Sequence, residues 1–163
     1  MFHFCGDLYK ALVFAISHNR GNEPVLQGNS ETDINAVVHT HAPYSTILAV
    51  AHKPIPAIHY MIAAFGGPDV RVCDYARYGT AALSENILVA MQGRNGCLMA
   101  NHGMVVGGAD LTRAMWLAAE LVALAHQYYH ALTIGGGVVL SDAQIAETAK
   151  GFESYGVQSK DAL

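Results

Sequence analysis

The stretch Ile34–His41 reads INAVVHTH, short, apolar and rich in β-branched side chains until its two histidines. That length and composition predict a buried strand through Thr40. Pro43 then starts a helix, and the apolar run from Tyr44 to Ala51 continues it. Lys53-Pro54-Ile55-Pro56 ends it, because a residue that precedes proline is pushed out of the helical region.

Further elements follow on both sides of a second histidine-bearing turn. Ile58 to Ala64 predicts a short helix closed by Gly66-Gly67-Pro68, and Val70 to Cys73 predicts a strand. Thr80 caps a helix through Met91, with Leu83, Ile87, Leu88 and Met91 on one face, and Gly93 stops it. Gly96–Ala100 and Met104–Val106 flank Asn101-His102-Gly103, which reads as two strands joined at a turn or as one strand with a bulge. Leu111, Met115, Ala118, Leu121, Val122, Ala125, Tyr128 and Leu132 recur at helical spacing, so the longest helix runs from Asp110 to about Leu132. Ser141 and Gln144 form a capping box for a last helix to about Phe152.

Strands alternate with helices, so the expected fold class is α/β, a layered α/β/α domain with a central sheet. Whether the sheet is parallel, antiparallel or mixed stays open. The expected organisation is one compact domain over 33–163 preceded by a divergent segment, 1–32. With 163 residues, 52% hydrophobic and 13% charged, the chain is long enough for one real core.

A net charge of −4 with scattered Lys and Arg gives no basic stripe, so nucleic acid is excluded as an expected partner. The richest apolar segment, Ala114 to Ala125, carries Glu120 and is too short to span a bilayer, so no membrane association is expected. Asp7 and Lys10 interrupt the first apolar patches, against a secretion signal. Cys5, Cys73 and Cys97 are odd in number and far apart, which argues against a disulfide framework and points to a reducing cytoplasm. The patterns GxGxxG, GxxxxGK[ST] and GxSxG do not occur.

Residues two apart in a strand share a face, so His39 and His41 present two imidazoles side by side. Two readings stay open on spacing alone: a metal pair, or half-buried histidines with hydrogen-bonded ring nitrogens. His102 is the candidate third ligand, on a turn that can aim it inward, with Gly103 permitting close backbone approach. His126 and His130 share a helix face but lack the HExxH pattern, and His52 and His59 flank a proline-rich turn where a satisfied or exposed imidazole is the default. Spacing singles out none of the eight tyrosines.

The blocks DINAVVHTHAPYST, IPAIHYMIAAFGG, YGTAALSENI and ANHGMVVGG, in that order and at those intervals, resemble the class II aldolase/adducin family. IPAIHYMIAA and LSDAQIAETAKGFESYG are most similar to its fuculose-phosphate aldolase branch. The resemblance covers about Asp33 to Gly156. It implies that His39, His41 and His102 hold Zn2+, and that Tyr60, reaching into a neighbouring subunit, and Tyr155, near the C-terminal tail, serve catalysis. It also implies a homotetramer. The implied activity is a zinc-dependent carbon–carbon lyase that cleaves a phosphorylated ketose of the L-fuculose 1-phosphate kind to dihydroxyacetone phosphate and a hydroxyaldehyde, with the metal as Lewis acid.

The chain departs from the family at its start. The position matching the family's general-base glutamate falls on Arg20, and the nearest carboxylates, Glu23 and Glu31, lack its context. Met1 to Glu31 does not resemble the phosphate-binding loops expected there, a pattern a truncated or frameshifted gene start would produce. Metal binding is therefore expected more directly than turnover, and aldolase activity is expected to be weak or absent. Alternatives are a related sugar-phosphate epimerase or decarboxylase, a non-catalytic adducin-like interaction module, and a structural zinc site closed by a fourth ligand such as His59.

Overall fold

The computed structural model of the chain describes residues 34–152 and the backbone of one earlier strand, Leu12–Ala15. Arg20, Glu23, Glu31 and Tyr155 lie outside the described residues. In chain order the elements are β1 (Leu12–Ala15), β2 (Ala36–Thr40), α1 (Pro43–Val50), β3 (Ile55–Pro56), a 3-10 helix (Tyr60–Phe65), β4 (Asp69–Val70), β5 (Val72–Cys73), α2 (Ala81–Ala90), β6 (Gly96–Met99), β7 (Gly103–Gly108), α3 (Leu111–Thr133) and α4 (Asp142–Gly151).

Five strands form one sheet in the order β1-β2-β7-β6-β5. Its first three pairings are antiparallel and the last, β5 with β6, is parallel, so the sheet is mixed. Side chains alternate across it and feed two apolar layers. Ala36, Val38, Leu98, Met104 and Val106 face the larger layer, with Leu117, Leu121 and Leu124 of α3 and Leu48 of α1. Val37, Cys97, Met99 and Val105 face the smaller one, covered by Leu83 and Ala90 of α2. Helices on both faces of a central sheet make the layered α/β/α architecture that the alternation of elements implies.

Local chemistry sets the helix starts. The Asp110 carboxylate accepts from the Arg113 N–H at 2.7 Å, and Ser141 with Gln144 closes the capping box, at 3.3 and 2.9 Å. In α3 the buried residues Ala114, Leu117, Ala118, Leu121, Leu124 and Ala125 repeat every three or four positions, which lays one stripe on the sheet.

Two sequence expectations change and one open alternative is settled. The Val70–Cys73 strand splits at Arg71: Val70 pairs with Ile55 in a separate two-stranded sheet, while Val72 and Cys73 pair with β6. The Arg71 guanidinium bonds the Gln92 carbonyl at 2.9 Å at the crossing point. The helix expected over Ile58–Ala64 is a 3-10 helix that begins later, because His59 is its cap and accepts the Met61 N–H through Nδ1 at 3.2 Å. The Asn101-His102-Gly103 segment joins two strands rather than bulging one. Among the described residues, no helix is long and apolar enough to cross a membrane.

Gly108 marks where α3 meets the sheet. A Cβ there would stand 2.6 Å from the Ala114 backbone nitrogen, whereas one on Gly151 would meet nothing within 4 Å. Gly108→Ala is expected to cost about 1–3 kcal/mol by pushing the helix away. Gly151→Ala is expected to be neutral or to stabilise by up to about 1 kcal/mol. Denaturant unfolding of both variants checks the contrast.

Candidate metal centre

The antiparallel register of β2 and β7 places His39 opposite Val105 and Thr40 opposite Met104. Just beyond this pair, His41 leaves the end of β2 and His102 sits at the end of the turn entering β7. His41 thus lies one residue past the strand rather than within it, yet the two histidines of HTH still converge. The three rings meet at centroid separations of 4.7 Å (His39–His41), 4.9 Å (His39–His102) and 5.0 Å (His41–His102).

Close approach depends on Gly103. A Cβ on it would stand 2.6 Å from the Thr40 carbonyl oxygen, 2.8 Å from His41 Cδ2 and 3.5 Å from His39 Cε1. The absence of a side chain there leaves the space the imidazoles use. The His102 N–H donates to the Met99 carbonyl at 3.0 Å, closing the turn.

His39 is oriented by the sheet itself. Its Nδ1 lies 2.8 Å from the Met104 carbonyl oxygen. A carbonyl only accepts, so Nδ1 carries the proton and Nε2 keeps a free lone pair. This is the arrangement in which a histidine ligand donates its other ring N–H to a backbone carbonyl. Burial lowers the His39 pKa below its ordinary 6.5, the Met104 bond opposes this, and His102 and His41 lower it further. Burial, then His41, lowers His102 as well. Both shifts favour the neutral, metal-competent imidazole.

The donor set fits a divalent transition metal. The candidate ligand atoms all lie within 4.8 Å of one another. A tetrahedral zinc, about 2.0–2.1 Å from each nitrogen, would hold them about 3.4 Å apart, a difference that small ring rotations close. Three imidazoles would leave a further tetrahedral position open, and His41 is itself exposed. Among the described residues no Asp, Glu or Cys joins the group. His59, considered above as a fourth ligand, is engaged as a helix cap instead.

The remaining candidates lie elsewhere. Tyr60 is 45% exposed, and its ring neighbours are His59 and Phe152 rather than any of the three histidines. His126 and His130 pair at 4.8 Å on α3, with Tyr44 stacked on His126 at 4.1 Å, in a cluster that includes none of the triad. Sequence reasoning missed the Met104 carbonyl, for which no residue type could have been a signal.

Two outcomes test the geometry. Gly103→Ala is expected to weaken metal binding about tenfold or more by displacing His41 and His39, read by competition with a chromophoric chelator. Because the folded pKa values of His39 and His102 are depressed, folding favours their neutral forms. Their contribution to the stability of the metal-free chain is therefore complete above pH 6.5 and lost as pH falls through the depressed values. Metal affinity is expected to fall in the same window as protons compete for the nitrogens, measurable by titrations between about pH 8 and about pH 5.

Comparison with known proteins places this geometry in a lineage. Residues 29–129, more than half of the chain, match the Class II Aldolase and Adducin N-terminal domain. The chain is 48% identical over 124 residues to a 5-methylthioribulose-1-phosphate/5-deoxyribulose-1-phosphate aldolase of Rhodospirillum rubrum, an alignment covering 76% of this chain and 56% of that protein. It is 41% identical over 133 residues to the L-fuculose phosphate aldolase of Escherichia coli K12, covering 81% of this chain and 62% of that one. A solved L-fuculose 1-phosphate aldolase superposes with a TM-score of 0.73 at 42% identity, covering 76% of this chain and 58% of the other. The chain thus spans under two thirds of the length of these relatives. Its sequence, its sheet and its histidine-bearing turn together make it a member of the class II aldolase and adducin N-terminal domain family.

Proposed function

We propose that this chain is the metal-binding part of a class II aldolase, with His39, His41 and His102 holding Zn2+ for the cleavage of a ketose 1-phosphate. The observation that carries the reading is the convergence of three imidazoles, from two strand ends, with their candidate ligand atoms within 4.8 Å of one another. A structural zinc site would need a fourth protein ligand, and among the described residues none joins. When bound, the metal would supply a Lewis acid for the carbonyl and adjacent hydroxyl oxygens of the ketose.

The chain's own residues then have defined tasks. His39 is held in one tautomer by the Met104 carbonyl, which leaves Nε2 as its metal-donor nitrogen. His41 and His102 complete the set and leave the substrate side open. Tyr60 has nearly half its surface exposed, which suits the family reading that its phenol serves a neighbouring copy as proton donor towards the aldehyde in the condensing direction, and so, as phenolate, as acceptor of the C4 hydroxyl proton in cleavage. Tyr155 is assigned a second such role by resemblance alone. Proton abstraction needs a carboxylate, and none of the described residues places one beside the triad.

The names of the relatives support a ketose 1-phosphate as substrate, since 5-deoxyribulose 1-phosphate and fuculose 1-phosphate share their first three carbons. Retro-aldol cleavage of either kind releases dihydroxyacetone phosphate, with lactaldehyde from fuculose 1-phosphate or acetaldehyde from 5-deoxyribulose 1-phosphate. A homotetramer in the cytoplasm is the proposed setting, which the exposure of Tyr60 at 45% supports.

Release of dihydroxyacetone phosphate from both sugars by the zinc-loaded chain, followed with a coupled reductase, tests the reading. Slow cleavage that vanishes in His39→Ala and His102→Ala and on chelation is expected. Cleavage that persists in those variants would contradict the metal role. Loaded zinc with no cleavage of either sugar would favour a non-catalytic, adducin-like module.

A further inference from the structure

Among the described residues, two that are not glycine have a left-handed backbone, His52 at φ 50° and Asn101 at φ 54°. They are bonded to each other. His52 Nε2 lies 2.7 Å from Asn101 Oδ1, and as that oxygen only accepts, the ring N–H donates. Their backbone N–H groups also converge, each donating at 3.2 Å to the same acceptor, the Ala49 carbonyl.

His52 occupies a position where another residue would be easier. It follows the Ala51 cap of α1, and the bonds His52 N–H to Ala49 O and Lys53 N–H to Leu48 O, the latter at 2.9 Å, form a Schellman closure. That position is usually glycine, because a Cβ opposes the left-handed conformation. A histidine there keeps the conformational cost and adds one thing, a ring N–H aimed at Asn101. The bond is exposed to solvent, so its contribution to overall stability is small. Strained backbone that stability does not explain is a mark of a positioning task.

The task is visible in what the bond connects. Asn101 immediately precedes His102, and α1 begins at Pro43, two residues beyond His41. The helix therefore has one candidate ligand at its start and, through His52, a hold on the turn that presents another. We propose that His52 and Asn101 form a latch that sets His102 against His39 and His41, making both of them positioning residues for the metal. The proposal rests on the reading that these three histidines bind metal.

Cobalt(II) titration of the purified chain, followed by its visible absorption bands, tests the latch beside thermal unfolding of the metal-free proteins. His52→Gly and Asn101→Gly remove the bond yet suit the left-handed backbone, so both fold. Each is expected to weaken cobalt binding about tenfold or more and to alter the bands, with the unfolding midpoint unchanged or raised. His52→Gln, which restores an N–H donor at similar reach, is expected to recover part of the affinity. The double glycine variant is expected to be no weaker than either single one, because both delete one interaction. Wild-type affinity and spectrum in both glycine variants would overturn the latch, as would an affinity loss matched by a fall in the unfolding midpoint. An unaltered chain that binds no cobalt would overturn the triad reading itself, a separate result.

Discussion

The antiparallel pairing of Ala36–Thr40 with Gly103–Gly108 is the constraint on which the rest of the molecule depends. It is a central pairing of the sheet, dry beneath, where Val38 and Val106 are fully buried between the strands and α3. Its register decides which atoms meet at its open end. With Thr40 opposite Met104, the Met104 carbonyl reaches the His39 ring, and Gly103 lies beneath the His41 and His39 rings. A slip by one residue would turn His39 to the opposite face and place a side chain where Gly103 now leaves room. His39 is held within this buried ladder and the other two candidate ligands adjoin its end, and a rigid support is what a metal site requires.

Much of this was legible in the residues, and the limits have physical causes. The helices declared themselves through caps and periodicity: Ser141 with Gln144, Thr80, and the apolar repeat from Leu111 to Leu132 match the bounds of α4, α2 and α3 within a residue or two. Leu111 is nonetheless exposed, and the buried stripe of α3 also takes Ala114, Leu117 and Leu124. The strand with HTH, and the turn bearing His102, were readable because composition and glycine placement act locally. What was not readable depends on long-range partners. The division at Arg71 between two sheets follows from where β3 and β6 lie, which no local pattern states. The pairing of Leu12–Ala15 with β2 is likewise a tertiary choice, made in a segment whose short apolar run, ALVFAI, is not among the expected strands.

The site shows the same division. Three histidines can be picked out as metal-ligand types, but the Met104 carbonyl that fixes the His39 tautomer is a backbone atom, invisible to any motif. His52 reads as an ordinary surface histidine until its helix-end conformation and its bond to Asn101, 49 positions away, are seen together. Family membership adds what geometry alone does not, the aldolase chemistry of the relatives. Every candidate ligand and orienting group falls between Ala36 and Met104, within the part of the relatives' length that the chain covers.

X-ray absorption at the zinc edge of the loaded chain examines the central claim most directly, since it counts and identifies the atoms around the metal. The account predicts three imidazole nitrogens at about 2.0–2.1 Å, a light-atom solvent ligand in the remaining position, and no sulfur. A thiolate in the shell, four protein ligands, or fewer than three imidazoles would contradict it.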